Sequence, residues 1–308
     1  MRRTRVKAFC SSANLGSGFD VAAVALDAFY DMVEVVVESG EGKVTVSSVE
    51  GPYADSSMII NNTAKHAIEY ALSMLNIPVD VELKIWKGIP VGLGLGSSGA
   101  SAAAAVKALV EALNINLSTN EQVAIAGKGE EVAAGEPHYD NVAASLLGGL
   151  TVIYSQKPLK VAKFNIGGYF VVAVPLVKTP PNKTAFMREV IPASVELKAV
   201  VFNTSKLAAL LTGFLNGDLK IAGMGMDDVI VEPFRSRYVP CYNEVKKAAL
   251  ETGAYGVAIS GAGPSIVALA GTKKEACSVA RAVKRVYENR GVKVMVRIAN
   301  PAPGALVM

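Results

Sequence analysis

Apolar and polar residues alternate with period two in several short runs and with a three-to-four spacing in others. Strands and helices are therefore mixed along the chain. Residues 5–12 read as a short strand entering the polar, glycine-rich turn Asn14-Leu15-Gly16-Ser17-Gly18. Residues 28–38 (AFYDMVEVVVE) and 43–49 (KVTVSSV) are β-rich, and Gly40 and Gly42 between them predict a hairpin. The spacing predicts a helix over 63–75, with Pro78 just beyond it. Residues 81–89 alternate as a strand. A glycine-rich stretch, 90–99, leads into an alanine-rich helix to about Leu113. Ser118 or Thr119 caps a further helix to about Ala134, and 149–155 reads as a strand.

The second half has its own pattern. Residues 169–177 form a strand run, and 178–184 a polar loop. Helices fit 194–216 and 240–252. Strand 256–260, glycine-rich loop 261–264, strand 265–270, helix 274–290 and strand 292–299 follow. That β-α-β-β-α-β order belongs to a split βαβ, ferredoxin-like unit. The fold class is α+β, with a boundary expected near 155–168 that divides the chain into 1–160 and 161–308.

With 308 residues, 51% of them hydrophobic and 19% charged, the chain can fill large cores and is not of disordered composition. The net charge of +4 is scattered apart from Arg2, Arg3, Arg5 and Lys7, which read as a solvated terminus. Such a balance suits anionic small molecules, and with 6% aromatics it gives no nucleic-acid face. Cys10, Cys241 and Cys277 are odd in number and far apart, so neither a metal pair nor a disulfide framework is expected. No apolar run approaches the roughly 18 residues of a membrane span. A cytoplasmic protein is expected.

The chemistry concentrates in Pro90-Val91-Gly92-Leu93-Gly94-Leu95-Gly96-Ser97-Ser98-Gly99-Ala100, a strand-to-helix connection. Glycines let the backbone approach a ligand. Free N–H groups at the helix start favour an anion. Serines there donate to phosphate or face a hydrated cation. Gly94 to Gly99 also fits G-x-G-x-x-G, but no second strand ending in an acid follows, which disfavours a dinucleotide oxidoreductase. The stretch has no lysine, which excludes a Walker loop, and the protein-kinase signatures H-R-D and D-F-G are absent. A glycine-rich turn serving helix–sheet packing alone is the bland alternative.

Three blocks line up in order: Ser11 to Asp20, the 90–100 stretch, and Ser260-Gly261-Ala262-Gly263-Pro264-Ser265-Ile266. Together they resemble the three motifs of the GHMP small-molecule kinases, over nearly the whole chain. Within that group the chain most resembles the homoserine kinases. Pro137-His138-Tyr139-Asp140-Asn141-Val142-Ala143 with Leu147-Gly148-Gly149, and Glu232-Pro233-Phe234-Arg235 with Pro240, are similar to two of their blocks. The resemblance implies a two-domain fold, ribosomal-protein-S5-like at the N-terminus and ferredoxin-like at the C-terminus. It implies ATP and Mg²⁺ as cofactors and L-homoserine as substrate. Shikimate or a mevalonate-pathway alcohol is the runner-up substrate, and a homodimer is compatible with the family.

By the same resemblance, Pro90, Gly92, Leu93, Gly94, Leu95, Gly96, Ser97, Ser98, Gly99 and Ala100 enclose the ATP phosphates, and Ser98 and Glu130 neighbour Mg²⁺. Asn62 and Lys87 stand near the nucleoside, although a cap and a surface charge suit them equally. Arg188 and Arg235 meet the substrate carboxylate, which a planar guanidinium can bind in two places. Asn14, Asp20, His138 and Asn141 surround the amino group and hydroxyl. Asp140, Asn141 and Thr184 are the catalytic candidates, with Thr184 on the 178–184 loop and no evident general base. The 261–265 block forms a backbone wall. His66, without a motif, reads as structural.

Overall fold

The computed structural model describes residues 2–60, 62–134, 137–180 and 182–308. Its strands are β1 (Arg2–Asn14), β2 (Gly18–Ser39), β3 (Val44–Glu50), β4 (Val79–Trp86), β5 (Leu150–Gln156), β6 (Leu159–Phe164), β7 (Tyr169–Pro175), β8 (Gly256–Ile259), β9 (Ile266–Ala270), β10 (Val294–Ala299) and β11 (Leu306–Val307). Its helices are α1 (Thr63–Leu75), α2 (Ser97–Leu113), α3 (Thr119–Ala134), α4 (Tyr139–Leu147), α5 (Lys183–Glu189), α6 (Leu197–Asn216), α7 (Leu219–Met224), α8 (Glu232–Arg235), α9 (Tyr242–Glu251) and α10 (Lys273–Asn289). The α+β class holds.

The first sheet runs β11-β1-β2-β4-β3, with β5 on β2 and β6 on β5. The second runs β10-β7-β9-β8, the strand order of a ferredoxin-like unit. The first sheet ends at Phe164, with β6 paired to β5, and the second begins at Tyr169. The chain end returns to the first sheet, where Val6 faces Val307.

The expected hairpin between 28–38 and 43–49 does not form. β4 lies between the two strands, antiparallel to β2 and parallel to β3. The connection therefore steps across one strand, a span of about 10 Å at the usual strand spacing. Asp80 holds it: its Oδ1 accepts from the N–H groups of Glu41, Gly42 and Lys43 at 3.0, 3.2 and 2.9 Å.

α2 lies against β1, β2, α1, α3 and α4. Ala100 and Ala102 to Ala105 are all fully buried there, and side chains this small let the helix sit close to the sheet. Along β7 the pleat splits the side chains between two cores. Phe170, Val172 and Val174 face a core continuous with the first sheet, whereas Val171 and Ala173 pack toward α9 and α10. Phe170 stacks on Phe214 of α6, with ring centroids 6.4 Å apart. The second half thus contributes to the core of the first and also keeps one of its own.

Candidate active site

The three sequence blocks meet through backbone groups. The carbonyls of Leu93, Gly94 and Leu95 accept from Ser265 N (3.2 Å), Ser260 Oγ (2.7 Å) and Ser11 N (3.1 Å). Gly261 N donates to Ala13 O at 3.1 Å. Gly94 and Gly96 are required by this closeness. Both have positive φ, 84° and 64°. A Cβ at Gly94 would stand 2.4 Å from Ser260 O, and one at Gly96 would stand 2.2 Å from Ser11 Oγ. With these carbonyls turned aside, the unpaired N–H groups of the first turn of α2 remain for an anion.

Beneath the loop sits a buried ion pair. Lys87 Nζ donates to Asp31 Oδ2, to Ser101 Oγ at 2.8 Å and to Ser97 O at 3.1 Å. Asp31 Oδ1 accepts from Gly88 N and Ile89 N, each at 2.9 Å, and Oδ2 accepts from Ser101 Oγ at 2.8 Å. The network ties the entry of the loop to the helix start. Lys87 is 4% exposed and is not among the residues that line the cavity beside the loop; its ammonium supports the loop. Asp31, its partner, was not singled out from sequence. Asn62 caps α1, accepting from Ala64 N at 2.9 Å, and it too lies off the cavity.

A cavity of about 280 Å³ opens beside the loop. On its first wall are Pro90, Gly92, Gly94, Leu95, Gly96, Ser97 and Ser98. Leu93, Gly99 and Ala100 do not line it: Leu93 and Ala100 belong to the core, and Gly99 packs on Asn141 and Val142. The cavity is also lined by Asn14, Asp20, His138, Asp140, Asn141, Thr184, Arg188 and Arg235. Sequence reasoning thus brought these eight to one place. Thr184 sits in α5 rather than in a loop, and Pro181 of that expected loop lies outside the described residues.

The polar wall is strongly charged. Arg188 Nη1 and Nη2 donate to Asp20 Oδ2 and Oδ1 at 2.8 and 3.2 Å, a two-pronged pair. Arg235 is 4% exposed; its Nε donates to Met187 O at 2.9 Å and its Nη1 to Gly261 O at 3.1 Å. Both guanidiniums flank Phe19, at 5.4 and 5.1 Å from the ring centroid. Burial, together with the like charge of Arg188, pushes the Arg235 pKa down to about 10. Asn14 bridges the wall, donating to Gly261 O and accepting from Asp20 N, both at 3.1 Å.

Asp140 and Asn141 open α4, with His138 at its N-cap. Asp140 Oδ1 accepts from Asn141 N at 2.7 Å, and Asn141 Oδ1 accepts from Ser11 Oγ at 2.9 Å. Burial, and then the charge of Asp20, raise the Asp140 carboxyl to about 7. Ser98 Oγ donates to Glu130 Oε2 at 2.9 Å, while the buried Glu130 Oε1 has no hydrogen-bond partner among the described residues. Burial raises this carboxyl as well. A carboxylate oxygen without a partner beside a hydroxyl suits a hard cation. No cluster of three or more His, Cys, Asp or Glu could hold a metal among the described residues, so a cation here would draw its remaining ligands from water or phosphate.

Lys183 also lines the cavity and was not anticipated. In the sequence it reads as one more loop charge. Only the fold reveals that its Nζ turns inward and donates to Gly263 O. His66 lies outside the site, its Nδ1 3.1 Å from Glu69 Oε2.

Residues 62–149 match the GHMP kinases N terminal domain, and residues 209–289 match the GHMP kinases C terminal domain. The chain is 46% identical to a homoserine kinase of Aeropyrum pernix, covering 99% of this chain and 98% of that protein. It is 42% identical to a homoserine kinase of Pyrobaculum islandicum over 98% and 99% of the two chains. A solved structure of homoserine kinase from Cytophaga hutchinsonii superimposes with a TM-score of 0.90 at 32% identity, covering 100% of this chain and 98% of that one.

Proposed function

The chain belongs to the GHMP kinase family, and on that footing we propose that it transfers the γ-phosphoryl group of ATP to the side-chain hydroxyl of L-homoserine. The product is O-phospho-L-homoserine. We place the reaction in the cytoplasm, in keeping with three unpaired cysteines.

One observation carries the substrate assignment: the pairing of Asp20 with Arg188, which together with Arg235 line the cavity beside the helix-start loop. Homoserine carries an ammonium and a carboxylate on one carbon. Asp20 is the complement of the first. Arg188 and Arg235 are the complement of the second, and a fork of N–H groups matches a carboxylate in two places. The hydroxyl, two carbons further on, then extends toward Asn141, Thr184 and the loop.

Phosphoryl transfer is catalysed mainly by positioning and by neutralising charge. The alcohol oxygen bonds to the γ-phosphorus as the bond to the bridging oxygen breaks, and ADP leaves with that electron pair. The first turn of α2 binds phosphate oxygens through its N–H groups. Ser98 and Glu130 would hold Mg²⁺, which when bound neutralises phosphate charge. Asn141, fixed by Ser11 and Asp140, orients the hydroxyl, and Thr184 closes its other side. No single side chain is assigned as general base, so the hydroxyl proton passes to solvent or to a phosphate oxygen.

The test is an ADP-release assay against homoserine, shikimate, mevalonate and galactose. Turnover of homoserine well above the others is the expected result. Preference for another alcohol would move the substrate and leave the kinase. Absence of turnover with every alcohol would sink the reading.

A further inference from the structure

We propose that the Lys183 ammonium contacts the transferred phosphoryl group, supplying from the C-terminal half the cation that the lysine-free glycine loop lacks. The proposal deepens the phosphotransfer reading and rests on it.

Lys183 lines the same cavity as Gly92, Gly94, Gly96 and Ser98 of the loop and as Asp140, Asn141 and Thr184. A phosphoryl group passing from the loop to the hydroxyl would move within that cavity. The side chain is half-buried, and its Nζ donates to Gly263 O, a carbonyl of the block stitched to the loop. Among the described residues no carboxylate pairs with this ammonium. The charge that acts on it is that of another cation, Arg235. An ammonium withdrawn from water without a counterion is costly unless an anion arrives. Burial, aided by Arg235, accordingly pushes the amine down to about 7. Glu130 and Asp140 face the same cavity, but each has a raised pKa of its own. A triphosphate in the cavity is the missing anion, and its arrival would favour the protonated amine.

Arg188 stands on the same short helix, four residues after Thr184. α5 thus presents a cation to phosphate at one end and a guanidinium to the amino acid at the other. In the transfer Lys183 keeps its proton. It gains interaction as charge spreads over the equatorial phosphoryl oxygens, and it takes no part in the bond exchange.

The test uses Lys183→Met and Lys183→Arg in the full chain. Lys183→Met should lower kcat on the order of 100-fold, the size of effect seen when one donor to a developing anion is removed. KM for the alcohol should move less than about threefold, since the ammonium meets phosphate and not the alcohol. Lys183→Arg should recover much of the loss. A second readout is independent of turnover. Binding of a non-hydrolysable ATP analogue near pH 7, followed by calorimetry in buffers of different ionisation enthalpy, should show proton uptake that shrinks in Lys183→Met. Wild-type kcat in folded Lys183→Met, or unchanged proton uptake, would overturn the assignment. If the wild-type chain prefers another alcohol and Lys183→Met loses that activity, the lysine's role stands and only the homoserine reading falls.

Discussion

Arg188 and Asp20 are 168 residues apart in sequence, yet two guanidinium nitrogens of one meet both carboxylate oxygens of the other, at 2.8 and 3.2 Å. Each is about one-third exposed at the cavity wall, so the pair is only partly shielded from solvent. Removing Asp20's charge with Asp20→Asn should weaken homoserine binding. We expect KM for homoserine to rise about tenfold, the equivalent of roughly 1.4 kcal/mol, with KM for ATP nearly unchanged. Steady-state kinetics with each substrate varied in turn gives the answer. Equal effects on both substrates would remove Asp20 from the ammonium site.

Arg235 is far better shielded, and Met187 O and Gly261 O fix its plane. Arg235→Ala should raise KM for homoserine on the order of 100-fold, because losing one partner of a buried charge pair costs about 2–5 kcal/mol. Arg235→Lys should recover little, since a point charge does not reproduce the fork. A comparable rise in KM for ATP would contradict the assignment.

Asp140 links pH to stability. Its carboxyl rises from 3.8 to about 7 on folding, so the folded chain holds this proton more tightly than the unfolded chain does. The destabilisation is absent below the unfolded value, grows as pH climbs between the two values, and is complete above about 7. Asp140→Asn removes the charge but keeps an oxygen for Asn141 N. Its melting temperature should exceed that of the wild type at pH 8 and match it near pH 4, on the order of a few kcal/mol at the upper end. Turnover should be largely kept. Complete loss of turnover in a folded variant would restore a general base to the mechanism.

The Lys87–Asp31 network invites a double-mutant cycle. Lys87→Met strands a buried carboxylate, and breaking such a pair costs about 3–5 kcal/mol. Adding Asp31→Asn should return part of that stability. ATP binding should weaken in both variants, because the entry to the loop loses its tether to Ser97 and Ser101. Chemical denaturation and analogue titration measure the two effects. Destabilisation without loss of ATP affinity would separate the network from the loop.

Much of this was legible in the residues. Local periodicity and caps placed α1, α2 and α3, and the strand–helix order of the second half predicted its sheet. Order along the chain, however, does not name a strand's neighbour. The hairpin expected at Gly40 and Gly42 failed because β4, encoded some forty residues later, takes the place beside β2. Lys87 looked available to a ligand for a similar reason. Its partner Asp31 lies 56 residues away inside a run that reads as plain strand. Lys183 escaped notice because a charge beside prolines is normally solvated, and only the closeness of Gly263 turns it inward. The motif residues did converge, since their block spacing already encoded the meeting of three loops.

That meeting has an evolutionary corollary. On the proposed reading the nucleotide is held by main-chain groups of a loop whose carbonyls at Leu93, Gly94 and Leu95 are secured by neighbouring segments. Choice of alcohol would then fall to a few side chains on separate segments, among them Asp20, Arg188 and Arg235. A lineage can therefore redraw its metabolic target by exchanging those side chains while inheriting the phosphate cradle intact.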